Sequence, residues 1–105
     1  VYKRQSLLKA EIRVQQAPED ATRTWYFFVA VLPCAAGSVR QGLLLRGIDA
    51  GVGAEVSDDC ATLLGYEDCP TLRDVFPRII ALPMWDGIPD QALCLVAEAV
   101  NRLVP

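Results

Sequence analysis

Residues 89–104, PDQALCLVAEAVNRLV, constrain the fold of this chain more than any other stretch. Leu93, Val96, Ala97, Val100, Leu103 and Val104 recur at three- and four-residue spacing and therefore share one face of a helix. Pro89 suits the first position of that helix, Asp90 the positive end of its dipole and Arg102 the negative end. A stripe of this kind is stable only when a sheet or another helix covers it. A short apolar strand, RIIAL at 78–82, stands just in front. Pro83 closes that strand, and Asp86-Gly87 signals the turn between the two.

Upstream, residues 24–32 (TWYFFVAVL) form the strongest strand pattern in the chain, aromatic and β-branched. Their unbroken hydrophobicity predicts burial on both faces. Residues 11–15 (EIRVQ) alternate, with Ile12 and Val14 on one side, and read as a short partner strand. Residues 6–10 have the composition of a helix tail, and 16–23 form a polar connection. Ser38 can cap a helix running to about Arg46, with Gly47 as its stop; Gly42 inside it costs about 1 kcal/mol relative to Ala. Residues 48–56 (IDAGVGAEV) predict a strand or extended loop, and 58–64 a short helical turn. Thr71 can cap a helix of two turns with Leu72, Val75 and Phe76 inward and Asp74 completing a capping box, ended by Pro77. These elements define an α+β (α/β) chain: one small sheet covered by helices, in a single domain.

Composition excludes several functions. A net charge of −3 gives no basic footprint for nucleic acid, and no apolar run approaches the roughly 18 residues of a membrane span. The four cysteines form no Cys-x-x-Cys pair and the chain has no histidine, so a zinc site is disfavoured and reduced, buried thiols in the cytoplasm are expected. Residues 1–5 (VYKRQ) back-translate as GTG TAT AAG AGA CAG, the mosaic end of a transposon sequencing adaptor. They are expected to be a non-native scar, with the native domain spanning 6–105 and the gene continuing upstream.

Five pieces of the chain, in order, resemble the C-terminal small domain of the DegT/DnrJ/StrS family of sugar aminotransferases. They are the aromatic pair and apolar run of 24–32, LLLRGID at 43–49, Gly65-Tyr66 followed by Cys69-Pro70, IIALP at 79–83, and the turn, acidic cap and final helix of 86–104. The resemblance implies the small domain of a fold-type I enzyme. Such an enzyme uses pyridoxal phosphate (PLP) to move an amino group from an amino acid to a keto-sugar, usually as a homodimer. It also implies a large catalytic domain of the same chain, bearing the lysine that holds the cofactor. Lys3 and Lys9 have no such setting, so this chain alone is expected to be inactive, with no catalytic or cofactor-binding residue. Family members often carry an arginine before the Gly-Ile step, where Arg40 is the nearest candidate. They also carry a substrate-facing pair where this chain reads AEVSD at 54–58.

Arg40, Ser57 and Asp58 are accordingly the candidate contacts to a nucleotide-sugar. The commoner use of Ser57 or Asp58 is to cap the short helix that follows. Trp85 reads as a recognition aromatic or as a cover over the strand end. Cys60 and Cys69 lack a basic neighbour to activate a thiol. The alternative function is a stand-alone, non-catalytic binding or oligomerisation module, and a divergent sensory relative is a third reading.

Overall fold

A computed structural model describes residues 6–22 and 26–105. The expectations for residues 1–5, and for the start of the aromatic strand at 24 and 25, lie outside that set. Within it the strands are β1 (Arg13–Val14), β2 (Phe28–Val31), β3 (Gly51–Val52) and β4 (Ile79–Leu82). The helices are α1 (Ala36–Leu44), α2 (Gly53–Val56), α3 (Cys60–Leu63), α4 (Pro70–Val75) and α5 (Asp90–Leu103), and a 3-10 turn, Phe76–Arg78, leads into β4. The class is α+β, as the sequence predicts.

The four strands form one antiparallel sheet in the order β1-β2-β4-β3. β4 pairs with β2 through Phe28↔Leu82 and Ala30↔Ile80, and with β3 through Val52↔Ile80. Because β4 runs against both neighbours, β2 and β3 point the same way, and α1 is the crossover of a split β-α-β unit. Residues opposite one another share a face. Phe28, Ala30, Ile80 and Leu82 therefore lie on one side, where Val39 and Leu43 of α1 and Val96 and Val100 of α5 cover them.

The expected burial of the aromatic strand on both faces is not met. Phe28 and Ala30 are buried, whereas Val29 and Val31 are only half-buried, because α1 and α5 both pack on the Phe28 side. On the other side Ile79 is also half-buried, and Phe27 is 41% exposed. α2 packs against β3 and β4; Ala81 on that side is buried, and a Cβ on Gly51 would lie 3.8 Å from Val56 Cγ2.

Two helix stops fall where local chemistry requires them. Gly47 (φ 76°) ends α1: its N–H donates to the Leu44 carbonyl and the Ile48 N–H to the Leu43 carbonyl. Gly65 (φ 74°) ends α3 with the same pair of bonds, to Thr62 and from Tyr66 to Ala61. Both are Schellman stops, which need a residue free of Cβ strain at positive φ. The starts differ from expectation. α1 begins at Ala36 with Ala35 before it, and Ser38 sits in its first turn, donating its hydroxyl to the Ala35 carbonyl. α4 begins with Pro70, which has no N–H to leave unpaired, so Thr71 is internal and Cys69 occupies the cap. Asp74, expected in a capping box, instead pairs with Arg78 at 2.8 Å. Residues 48–56 split into β3 and α2 rather than forming one extended segment.

Long-range polar contacts close the domain. Asn101 on α5 accepts from the Lys9 N–H (2.9 Å) and donates to the Leu7 carbonyl (2.8 Å), so one amide holds the backbone of the N-terminal segment. Lys9 Nζ donates to the Val104 carbonyl, satisfying an acceptor at the α5 C-terminus. Arg78 donates to the Leu32 carbonyl and to both the carbonyl and carboxylate of Asp74, joining the end of β2 to α4.

A Cβ on Gly53 would lie 2.8 Å from the Phe76 carbonyl oxygen, a backbone atom that cannot turn aside, whereas one on Gly37 meets nothing within 4 Å. Gly53→Ala is therefore expected to lower stability by about 1–3 kcal/mol, while Gly37→Ala in α1 leaves it unchanged or raises it by up to about 1 kcal/mol. Urea denaturation of both variants checks the contrast. Asn101→Ala should cost about 0.5–1.5 kcal/mol, because both bonds are exposed and water can replace the lost amide, and hydrogen exchange should speed at Lys9 before it does in β2 or β4.

Candidate functional site

Two surface clefts mark where this domain can meet a ligand. The smaller, about 410 Å³, lies at the β3 edge and includes Tyr26, Phe27, Arg40, Glu55, Val56 and Met84. Its polar centre is Arg40, one of the residues that the sequence singles out. The guanidinium Nη2 meets Glu55 Oε1 at 2.7 Å, and Nε donates to the Ala50 carbonyl at 3.2 Å. Glu55 Oε2 in turn accepts the Val52 N–H at 2.9 Å. Arg40 thus ties α1 to both β3 and α2, and its charge is already answered. Tyr26, 89% exposed, and Phe27 stack edge-to-face beside this clamp with ring centroids 4.7 Å apart.

Ser57 and Asp58 do not join Arg40 in this cleft. Both are exposed on the link between α2 and α3 and line neither cleft. Neither caps α3. Asp59 does, accepting the Thr62 N–H at 3.1 Å and the Thr62 hydroxyl at 2.6 Å. A shift of one residue therefore moves the capping role off the residues expected to hold it. The Thr62 hydroxyl and N–H hold the Asp59 carboxyl below the ordinary aspartate range. Glu55 is a site residue that the sequence does not reveal, because its position after a glycine-rich segment carries no local signal of a pairing with Arg40.

The larger cleft is an open groove of about 780 Å³ between the flank of α5 and two chain segments, 46–49 and 83–88. Both segments leave the sheet at the same end, because Gly51 pairs with Ala81. Met84, Trp85, Ile88 and Leu95 line it with apolar surface; Trp85 is 56% and Leu95 58% exposed. Trp85 therefore does not cover the strand end, as a packing aromatic would. Arg46, Asp49, Glu98 and Arg102 supply the charged groups. Of all these the sequence marks only Trp85 for recognition, while Arg102 reads there as a helix-dipole partner. The signal that could have found the groove is Leu95, a large apolar residue lying off the buried stripe of α5.

Neither cleft suits covalent chemistry. Lys9, the one lysine among the described residues, is engaged with Val104 and lines neither cleft, so the residues present do not fit a Schiff-base site for PLP. The four cysteines are unpaired and, contrary to the expected burial, none is buried: Cys60 and Cys94 are exposed, and Cys34 and Cys69 are half-buried. No three potential metal ligands cluster among the described residues. No helix among them is long and apolar enough to cross a membrane.

Fold and surface together define a small α+β domain with ligand-sized clefts and no reactive constellation among its described residues. No protein-family model matches the chain, and no curated protein matches it.

Asp59 gives a pH prediction. Its depressed pKa means that its contribution to α3 is complete above the ordinary aspartate range and is lost as pH falls through the lower folded-state value. Hydrogen exchange at Thr62, corrected for intrinsic rates, should lose protection over that acidic window. In Asp59→Asn the same amide should show no such step.

Proposed function

We propose that this chain is the C-terminal small domain of a PLP-dependent nucleotide-sugar aminotransferase, serving as a support for catalysis carried out elsewhere. The enzyme would move an amino group from an amino acid to a keto-sugar. The lysine that binds the cofactor would belong to a large domain of the same polypeptide, which as a whole would act as a homodimer in the cytoplasm. Unpaired thiols are compatible with that reducing compartment.

The observation that carries this reading is the side of the sheet away from α1 and α5, which is only partly covered. Val29, Val31 and Ile79 are half-buried there with Phe27 beside them, while Leu63, Leu64 and Tyr66 stand exposed on and after α3. Large apolar side chains left exposed in this number are what an interface would cover. The resembling segments also occupy structural junctions: Gly65-Tyr66 forms the stop of α3, Cys69-Pro70 the start of α4, and the IIALP segment is β4 and its exit. Arg40 would act from the small cleft by shaping the β3 edge near the nucleotide-sugar.

A second reading, a stand-alone non-catalytic binding module, is favoured by the core, which is continuous from Leu8 to Val104 without any further partner.

The gene upstream of Ser6 separates the two. The first reading expects a large domain containing a lysine in a cofactor-binding setting, visible cofactor absorbance in the full-length protein and transamination of a keto-sugar. The 105-residue chain alone should show neither absorbance nor activity. An upstream sequence without such a lysine overturns the aminotransferase reading.

A further inference from the structure

The groove along α5 carries side chains that neither the core nor the proposed supporting role uses. Ala92, Leu95, Ala99 and Arg102 recur at three- and four-residue spacing, so one flank of α5 faces this groove. That flank borders the stripe centred on Val96, Ala97 and Val100 that covers the sheet, meeting it at Val96 and Ala99, while Leu95 and Arg102 stand outside the core. Leu95 and Trp85 remain more than half exposed on its two sides, over a floor that includes Met84 and Ile88. A volume of about 780 Å³ falls in the range of small-molecule sites, which are mostly apolar with a few polar groups that orient the ligand.

The charges decide what kind of molecule fits. The side chains of Arg102, Glu98 and Asp49 make no hydrogen bond or ion pair among the described residues, and that of Arg46 commits only Nη1, to the Gly42 carbonyl at 2.9 Å. Two guanidinium groups and two carboxylates thus line one groove. A simple anion would meet the carboxylates and a simple cation the guanidiniums. A zwitterion can answer both. Glu98 and Arg102 are one helical turn apart, about 6 Å between Cβ atoms, yet are not paired with each other. That spacing suits one α-amino acid head, with its ammonium on the carboxylate and its carboxylate on the guanidinium. The apolar floor and the Trp85 ring suit an aromatic side chain.

We propose that this groove is a binding site for a free aromatic α-amino acid in its zwitterionic form, held between Trp85 and Leu95 with its charged head on Glu98 and Arg102. The site does not depend on the aminotransferase reading, since it uses only residues of this domain.

Isothermal titration of the full 105-residue chain tests it with three probes that differ only in the head group. L-phenylalanine carries both charges, 3-phenylpropanoate lacks the ammonium, and 2-phenylethylamine lacks the carboxylate. Phenylalanine should bind, and each analogue should bind about tenfold more weakly, the loss expected for one charge-assisted hydrogen bond. Arg102→Gln should weaken phenylalanine about tenfold while leaving phenylethylamine unchanged, and Glu98→Gln should do the same while sparing 3-phenylpropanoate. Arg73→Gln, on α4 away from the groove, should change nothing. Absence of phenylalanine binding at millimolar concentration, or equal binding of all three probes, overturns the proposal. The analogue series uses the unaltered chain, so the test stands even if a variant folds poorly.

Discussion

The pairing of β4 with β2 is the contact on which the rest of the molecule depends. It sets Phe28 opposite Leu82 and Ala30 opposite Ile80, placing the largest buried side chains of the sheet on one face. A slip of one residue would put Phe28 and Ile80 on opposite faces, turning one of them away from the Val39, Leu43 and Val100 that cover both. Burial of side chains of this size contributes about 1.5–3 kcal/mol each, so the register is held by several such terms at once. Arg78 reinforces it from the end, because its bond to the Leu32 carbonyl joins the last residue before the turn to the start of β4. The two edge strands are only two residues long, and they lean on this central pair rather than supporting it.

Features that depend on a few neighbouring residues are the ones legible in the sequence. Gly47 reads as a helix stop because only the local backbone decides it, and the same chemistry acts at Gly65. The buried stripe of α5 follows from spacing alone. The strand of 28–31 shows where such reading ends. Continuous apolar residues are compatible with two covered faces or with one covered face and one left bare, and only the placement of α1 and α5 on the same side distinguishes them. Cap positions fail for a smaller reason. Ser57, Asp58 and Asp59 are all competent acceptors, and which of them reaches the Thr62 N–H depends on where the turn after α2 ends. Glu55 is invisible in the sequence because its partner Arg40 lies on another element and the two meet only around the sheet edge.

Two of the three arginines that line the clefts show why residue type alone does not identify a site. Arg40 stands out in the sequence for its place in a motif, and the fold satisfies it twice, through Glu55 and the Ala50 carbonyl. A guanidinium so engaged positions backbone, and an incoming anion would have to compete with an existing carboxylate. Arg102 reads in the sequence as a dipole partner, and the fold leaves it without an ion pair on a flank with apolar neighbours. The bound arginine explains how β3 and α2 are held; the unbound one is available for recognition. Charge left unanswered beside apolar surface left uncovered is the combination a ligand can exploit, and in this domain it occurs along the outer flank of the same helix whose inner face builds the core. The helix that makes the sheet stable thereby also offers the surface at which the domain can read another molecule.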